Sequence, residues 1–271
     1  MQSAKCKVKS EIPFLLATFY FLLFTQFSMD FRTKLQAAQQ NNRSQLCIGL
    51  DIVFADSPLP MLVQDEPMLP FAREIIEATH DLVCAYKINP AYYLAEGAAG
   101  MVALERIVRL VPSHIPLIWD AKYAENSAVA ASYARGAFEQ YHADAVTLSG
   151  NLRPETLQHY LRYREQAIFL WNDDLSPALS FSDSMGIALD AVRWPRLSPV
   201  IMGTRDVLIF VETANHPNTG HDALLGMFKH AGDGLKPIVS VSRPILYASK
   251  RIDYVDVARA AAQKMRAAIN D

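Results

Sequence analysis

The chain has 271 residues, of which 51% are hydrophobic and 20% are charged, and its formal net charge is -2. This balance is typical of a globular protein with ample material for a core. It argues against a nucleic-acid partner, because no dense run of Lys and Arg is present. The three cysteines, Cys6, Cys47 and Cys84, lack the spacing of a metal site and favour free thiols in a reducing, cytoplasmic compartment.

The N-terminal segment differs from the rest of the chain. Three lysines precede an apolar stretch over residues 12–27, as in a signal sequence or a short membrane anchor. The stretch is short for a membrane span, and Met29 offers a second start for the protein. Residues 1–28 are therefore interpreted as an extension, with a dispensable leader, a signal and an anchor all open. Membrane contact is expected only if residues 12–27 are retained as an anchor.

After the extension, residues 29–271 form one predicted catalytic domain in which short apolar runs alternate with amphipathic segments. The apolar runs, predicted to be strands, are residues 46–51, 82–87, 116–122, 144–149, 167–171, 199–202, 207–211 and 237–242. Helices are predicted over residues 30–40, 71–79, 101–108, 127–141, 154–164, 186–192, 223–230 and 255–269. Alternation of this kind predicts a parallel sheet, and eight runs predict a single (β/α)8 TIM barrel. The connection between the sixth and seventh runs is irregular, with hardly room for a helix. A doubly wound open sheet is the alternative.

Charged residues stand at the ends of strands that are otherwise apolar. Asp51, Lys87, Asp120, Lys122 and Arg243 all lie at predicted carboxyl ends. In a (β/α)8 barrel the active site is built at this rim, from several strands at once. Five charges of both signs there favour a functional site over a solvated sheet edge.

The segment around residue 120 contains charged residues that can build a proton donor. Lys87, Asp120, Lys122 and Glu125 can form a chain of alternating charge in which each member stays ionised. An ammonium held in this way can stabilise a carbanion and then protonate it. Asp120 next to a substrate anion would destabilise that anion unless the reaction removes it, as decarboxylation does.

The last strand ends with groups suited to an anion. The guanidinium of Arg243 can grip a phosphate with two hydrogen bonds, and the neighbouring hydroxyls of Ser240 and Ser242 are further donors.

Five motifs of the chain, in order, resemble those of the orotidine 5'-phosphate decarboxylase family. They are residues 46–51, 85–89, 120–122, 144–147 and 242–248. The similarity covers nearly the whole chain from Asp30, and it is strongest to the bacterial branch with a long proline-containing loop after the first strand. The resemblance implies a (β/α)8 barrel and cofactor-free decarboxylation of orotidine 5'-phosphate to UMP in pyrimidine biosynthesis. It also implies a homodimer with shared active sites, and no metal is expected.

The same resemblance implies a role for each matching residue. Asp51 would bind the ribose hydroxyls, and Lys87 would contact the ribose and the charge network. Asp120 would face the substrate carboxylate, and Lys122 would stabilise and protonate the carbanion at C6. Arg243 would hold the 5'-phosphate. The other expected substrate-binding residues are Asn89, Thr147, Gly220 and Ser242, and Glu125 completes the catalytic set.

The chain departs from the family pattern at several positions. Glu125 stands where the family has aspartate, Val129 where it has threonine, and Asp174 near a usual serine. A glycine-rich loop, whose backbone N–H groups would close around a phosphate, is replaced by residues 215–220, in which Gly220 is retained. Three interpretations stay open: a working decarboxylase, a relative acting on another phosphorylated anion, and a non-catalytic homologue that binds a nucleotide or a protein.

Overall fold

A computed structural model describes residues 29–123, 126–171, 184–193, 207–213 and 235–270. The N-terminal extension, the predicted strand over residues 199–202 and the predicted helix over residues 223–230 lie outside these ranges.

Eight parallel strands close into a barrel in which each strand pairs with its neighbours in chain order. The strands are β1 (Leu46–Gly49), β2 (Ala85–Ile88), β3 (Leu117–Tyr123), β4 (Ala145–Ser149), β5 (Ala167–Trp171), β6 (Met185–Asp190), β7 (Leu208–Glu212) and β8 (Ile238–Val241). Parallel pairing of β1 with β8 closes the barrel, so the predicted (β/α)8 fold is confirmed and the open sheet is excluded.

Helices connect the strands and cover the barrel. The described α-helices are α1 (Phe31–Asn42), α2 (Leu59–Leu62), α3 (Met68–Thr79), α4 (Pro90–Leu94), α5 (Gly97–Val108), α6 (Ser127–Arg135), α7 (Pro154–Leu161), α8 (Arg243–Leu246) and α9 (Tyr254–Asn270). Short 3-10 turns span Phe54–Asp56 and Ala191–Arg193, and a π-helical turn, Gly136–Gln140, follows α6. None of the helices in this part of the chain has the length and apolar character that crossing a membrane requires.

Local sequence signals explain where the terminal helices form. Asp30 is the N-cap of α1, where its carboxylate accepts a hydrogen bond from the backbone N–H of Thr33 at 3.1 Å. In α9, buried residues recur at helical spacing from Tyr254 to Ile269, and the ring of Tyr254 packs on Phe71 of α3. The predicted opening and closing helices are therefore confirmed.

The sixth strand differs from the prediction. Residues 186–192 were expected to be helical, whereas Met185–Asp190 forms β6, paired with β5 and β7. The strand is buried on both faces and shows no alternation, so its periodicity does not separate it from a buried helix. A side chain at Gly186 would come within 2.6 Å of the Leu208 carbonyl oxygen, so glycine allows the close approach of β7. Met185–Asp190 takes the sixth place that the sequence assigned to residues 199–202.

One end of the barrel is filled and the other carries polar groups. Phe31 and Leu35 of α1 are buried against the apolar barrel interior, and the Phe31 ring meets Phe169 edge-on at 5.7 Å. Cys47 and Cys84 lie in the same interior as buried free thiols, as expected, and burial raises the pKa of both. Helix α1 therefore covers one end of the barrel, and the open site lies at the other end, where the carboxyl ends of the strands carry polar groups.

Candidate active site

The carboxyl ends of five strands surround a cavity of about 230 Å³. It is lined by Asp51, Lys87, Asn89, Tyr92, Lys122, Glu212, Thr213, Ser240, Ser242 and Pro244. The charged strand ends of the sequence predict a site at this rim, and most of these polar side chains come from strand ends because parallel strands all finish at the same edge of the barrel.

Lys87 is the buried centre of the site. Its ammonium lies 2.8 Å from Asp51, 3.0 Å from Asp120 and 3.0 Å from Glu212, and its side chain is only 1% exposed. Burial lowers the pKa of Lys87, but the three carboxylates outweigh this effect and hold it well above its ordinary value. Lys87 is therefore a permanent cation. The lack of a side chain at Gly49 makes room for it, since a Cβ there would lie 3.0 Å from the Lys87 Cε.

Asp51 follows β1 and uses both carboxylate oxygens. One accepts hydrogen bonds from Lys87 at 2.8 Å and from the Ser242 hydroxyl at 3.0 Å. The other accepts a hydrogen bond from the backbone N–H of Asn89 at 3.1 Å. The Asn89 side chain is the N-cap of α4 and accepts a hydrogen bond from the Ala91 N–H. These contacts fix three of the predicted substrate-binding residues around one wall of the cavity.

Asp120 is fully buried in β3 and accepts hydrogen bonds from three donors. One oxygen lies 3.0 Å from Lys87 and 2.9 Å from Lys122, and the other accepts a hydrogen bond from the Thr147 hydroxyl at 2.7 Å. Burial raises the pKa of Asp120. The two ammonium groups and these hydrogen bonds lower it by more than burial raises it, so the pKa lies below its ordinary value. Asp120 is therefore a buried carboxylate that stays ionised. Thr147 holds Asp120 through this hydrogen bond and does not line the cavity.

Lys122 reaches the site from an irregular part of β3. The pairing with β4 shifts register between Trp119 and Tyr123, and Lys122 has a φ of 51°. A left-handed backbone is uncommon at a non-glycine residue, and such strain recurs at active sites. The Lys122 N–H donates a hydrogen bond to the Thr147 hydroxyl at 3.1 Å, which holds this conformation. Asp120 and Lys122 do meet, as strand alternation predicted, but the chain reaches that arrangement through a bulge.

The charged end of Lys122 lies in a polar and aromatic corner. Its ammonium is 2.9 Å from Asp120, 3.3 Å from Glu212 and 4.8 Å from the centre of the Trp171 ring. With 39% of its side chain exposed, Lys122 is accessible to a molecule in the cavity. It is the ammonium in the best position to exchange a proton with a bound substrate.

Glu212 belongs to the site and was missed by the sequence reasoning. It is the last residue of β7, and its carboxylate contacts both Lys87 and Lys122. The predicted seventh strand ended at residue 211, directly before this glutamate. A charge immediately after an apolar run is the same signal that identified Asp51, so the sequence did contain the information.

The remaining predicted residues are placed less centrally or lie elsewhere. Arg243 begins α8 directly after β8, with an exposed side chain that is not part of the cavity lining. Val129 is exposed on α6. Glu125, Asp174 and the 215–220 segment with Gly220 fall outside the described residues. Within the described ranges, no group of three His, Cys, Asp or Glu side chains is arranged to hold a metal ion.

Known proteins are similar to this chain in sequence and in fold. A family model described as "Orotidine 5'-phosphate decarboxylase / HUMPS family" matches residues 44–180. Orotidine 5'-phosphate decarboxylase of Roseiflexus castenholzii is 34% identical over 268 residues, which cover 89% of this chain and 98% of the relative. The Cellvibrio japonicus protein of the same name is 33% identical, with the same coverage of 89% and 98%.

A solved structure, Leishmania donovani OMP decarboxylase, shares the fold with a TM-score of 0.68 and 24% identity, covering 89% of this chain and 99% of its own. The relatives and the family model together show that the chain belongs to the orotidine 5'-phosphate decarboxylase family.

Proposed function

We propose that this protein decarboxylates orotidine 5'-phosphate to UMP without a cofactor, a step of pyrimidine biosynthesis. One observation carries the proposal. A half-exposed ammonium, Lys122, lies 2.9 Å from a fully buried, ionised carboxylate, Asp120, at the open end of the barrel. Membership in the family supports the same reaction.

The geometry suits the loss of carbon dioxide. Asp120 is buried beneath the lining of the cavity, and a substrate carboxylate bound over it places two anions close together, which raises the energy of the bound ground state. When the C–C bond breaks, its electron pair stays on C6 of the pyrimidine and the repelling charge leaves as CO₂. The Lys122 ammonium stabilises this carbanion and donates its proton to C6, and the resulting amine regains a proton from water.

The other polar groups of the cavity are proposed to hold the nucleotide. Asp51, Asn89 and Ser242 share one wall and present oxygen and nitrogen atoms suited to ribose hydroxyls. Arg243 at the rim is the proposed partner of the 5'-phosphate, together with the segment that contains Gly220. Thr147 is proposed to position Asp120 rather than to touch the substrate.

We also propose that the enzyme is a cytoplasmic homodimer with shared active sites and that Glu125 reaches across to the partner's site. Family membership is the support for this assembly. Sedimentation velocity over a range of concentrations measures it. A purely monomeric protein that still turns over would contradict the shared site.

The direct test is the loss of orotidine 5'-phosphate absorbance with the wild type and with Lys122→Ala. We expect turnover by the wild type and a loss of at least roughly 10²–10⁴-fold in the variant, which is the contribution of a positioned general acid. The circular dichroism spectrum should be unchanged, since Lys122 is partly exposed and Asp120 keeps Lys87 as a partner. Lys250→Ala is the control, because Lys250 is exposed and outside the cavity.

Two results would contradict the proposal. Turnover that survives in Lys122→Ala would remove the role of the proton donor. A folded wild type without turnover would favour the other interpretations, a different phosphorylated anion or a binding homologue. A calorimetric titration with uridine 5'-phosphate would then separate a changed substrate, whose site still binds the nucleotide, from a lost site, which does not bind it.

A further inference from the structure

We infer that Glu212 is a positioning residue that holds the Lys122 ammonium over the cavity, a role that rests on the proposed decarboxylase function. The Glu212 carboxylate contacts two ammonium groups. One oxygen lies 3.0 Å from Lys87 and the other lies 3.3 Å from Lys122. Because each oxygen has its own ammonium partner, the orientation of the carboxylate is determined at both ends.

Glu212 completes a closed ring of alternating charge. Lys87 contacts Asp120 at 3.0 Å, Asp120 contacts Lys122 at 2.9 Å, and Glu212 joins Lys122 back to Lys87. Three strands, β2, β3 and β7, supply the four members, all from one chain. A closed ring resists the displacement of any member more than an open chain does, because each group has two opposite charges to satisfy.

Lys122 is the member of the ring that needs such support. Its side chain is 39% exposed and its backbone is left-handed at an irregular strand end, so the position of its ammonium depends on its ionic partners and on the Trp171 ring. Within the described residues, Asp120 and Glu212 are the carboxylates that contact its ammonium. Asp120 holds it toward the barrel interior, and Glu212 holds it toward β7. Lys87, itself 1% exposed, anchors Glu212 from the buried side.

The chemical consequence concerns the proton on Lys122. Because the Glu212 carboxylate lies 3.3 Å from the ammonium, it keeps the group that carries the reactive proton in one place. It also limits the directions in which the N–H groups point, which improves the geometry of proton transfer. Glu212 lines the cavity, so it acts at the edge of the substrate site rather than from a remote position.

Glu212→Gln is the decisive variant, because it keeps the size and removes the charge. Lys87 retains Asp51 and Asp120 in this variant, so the protein is expected to fold. We expect kcat to fall by about tenfold, less than the loss of a whole general acid, with a much smaller change in KM. Glu212→Asp, which keeps the charge on a shorter arm, should restore part of the rate.

A second measurement is independent of turnover. Trinitrobenzenesulfonate reacts with the free amine of lysine, and mass spectrometry of a digest reports the rate at each residue. We expect Lys122 to react roughly twofold to fivefold faster in Glu212→Gln than in the wild type, which is the value of one partly exposed ion pair, because one carboxylate instead of two then holds its amino group. Glu212→Asp should lie between them. Lys250, which is exposed and paired only loosely with Asp56 at 3.9 Å, is the internal control. Glu105→Gln, which removes a surface carboxylate paired with Arg109, is the matched variant and should leave both rates unchanged.

The outcomes separate this inference from the proposed function. Equal labelling of Lys122 in the wild type and in Glu212→Gln overturns the inference, whatever the activity. Faster labelling with an unchanged kcat in an active enzyme also overturns it. A wild type that does not turn over orotidine 5'-phosphate overturns the proposed function, and the labelling rates still decide whether Glu212 holds Lys122.

Discussion

Replacing the buried cation of the site should cost a large part of the stability of the fold. In Lys87→Met, an unbranched apolar side chain takes the place of an ammonium that three carboxylates share. Asp120 and Glu212 keep Lys122 as a partner, but among the described residues Asp51 keeps only the Ser242 hydroxyl and the Asn89 N–H. The variant therefore buries more negative charge than the remaining cation balances.

The magnitude follows from the burial of the partners. Lys87 and Asp120 have exposed side-chain fractions of 1% and 0%, so water screens their interaction little. Breaking such a pair by removing one member typically costs about 3–5 kcal/mol. A domain of ordinary stability has only about 5–15 kcal/mol in total. We therefore expect Lys87→Met to lose roughly a third or more of its free energy of unfolding at neutral pH.

The loss should depend on pH in a definite direction. In the wild type the pKa of Asp120 lies below 3.8, so its stabilisation is present above that value and is lost as the pH falls through the lower folded pKa. The pKa of Lys87 lies above 10.5, so its stabilisation is present below that value and is lost only as the pH rises through the higher folded pKa. Without Lys87, one of the two ammonium groups that oppose the effect of burial on the pKa of Asp120 is gone. The variant then takes up protons on mild acidification, and its deficit shrinks.

Urea denaturation followed by circular dichroism, at about pH 7 and about pH 4.5, measures both effects. Lys250→Met is the matched control, because Lys250 is 58% exposed and lies 3.9 Å from Asp56, a pair worth about 0–1 kcal/mol. A loss in Lys87→Met no larger than in this control would refute the reasoning. A loss of the same size at both pH values would show that missing packing, and not unbalanced charge, is responsible.

Two further substitutions probe the support of the site. Thr147→Val removes the hydroxyl that donates a hydrogen bond to Asp120 and accepts one from the Lys122 N–H. We therefore expect the free energy of unfolding, measured by urea denaturation, to fall by about 1–3 kcal/mol, and kcat to fall as well. Unchanged values would show that water replaces the hydroxyl. Gly49→Ala places a methyl group 1.9 Å from the Ser242 Oγ, and we expect it to destabilise the protein by about 1–3 kcal/mol in the same assay. Its control, Gly136→Ala, adds a methyl group that no described residue approaches within 4 Å, at a helical φ of -57°, and should be neutral or stabilising by up to about 1 kcal/mol. Equal effects of the two glycine variants would contradict the steric argument.

The sequence alone determined the architecture and the location of the site. Apolar runs that alternate with amphipathic segments specify a parallel sheet, because the runs are buried strands and each amphipathic segment is a helix that covers them with its apolar face. In such a barrel every strand ends at the same rim, so charges at the ends of separate runs predict a shared site without knowledge of any loop. Asp51, Lys87, Asp120 and Lys122 were found in this way, and the structure brings all four together.

The tertiary structure decided which partners each charge has. β6 was mistaken for a helix because a strand buried on both faces has no alternation, and only its pairing with β5 and β7 identifies it. The bulge that turns Lys122 toward Asp120 depends on the pairing of β3 with β4 and on the hydroxyl of Thr147. Glu212 lies 125 residues from Lys87, and no local pattern joins them. Their contact exists because closure of the barrel brings β7 opposite β2, and that closure is a property of the whole sheet rather than of either segment.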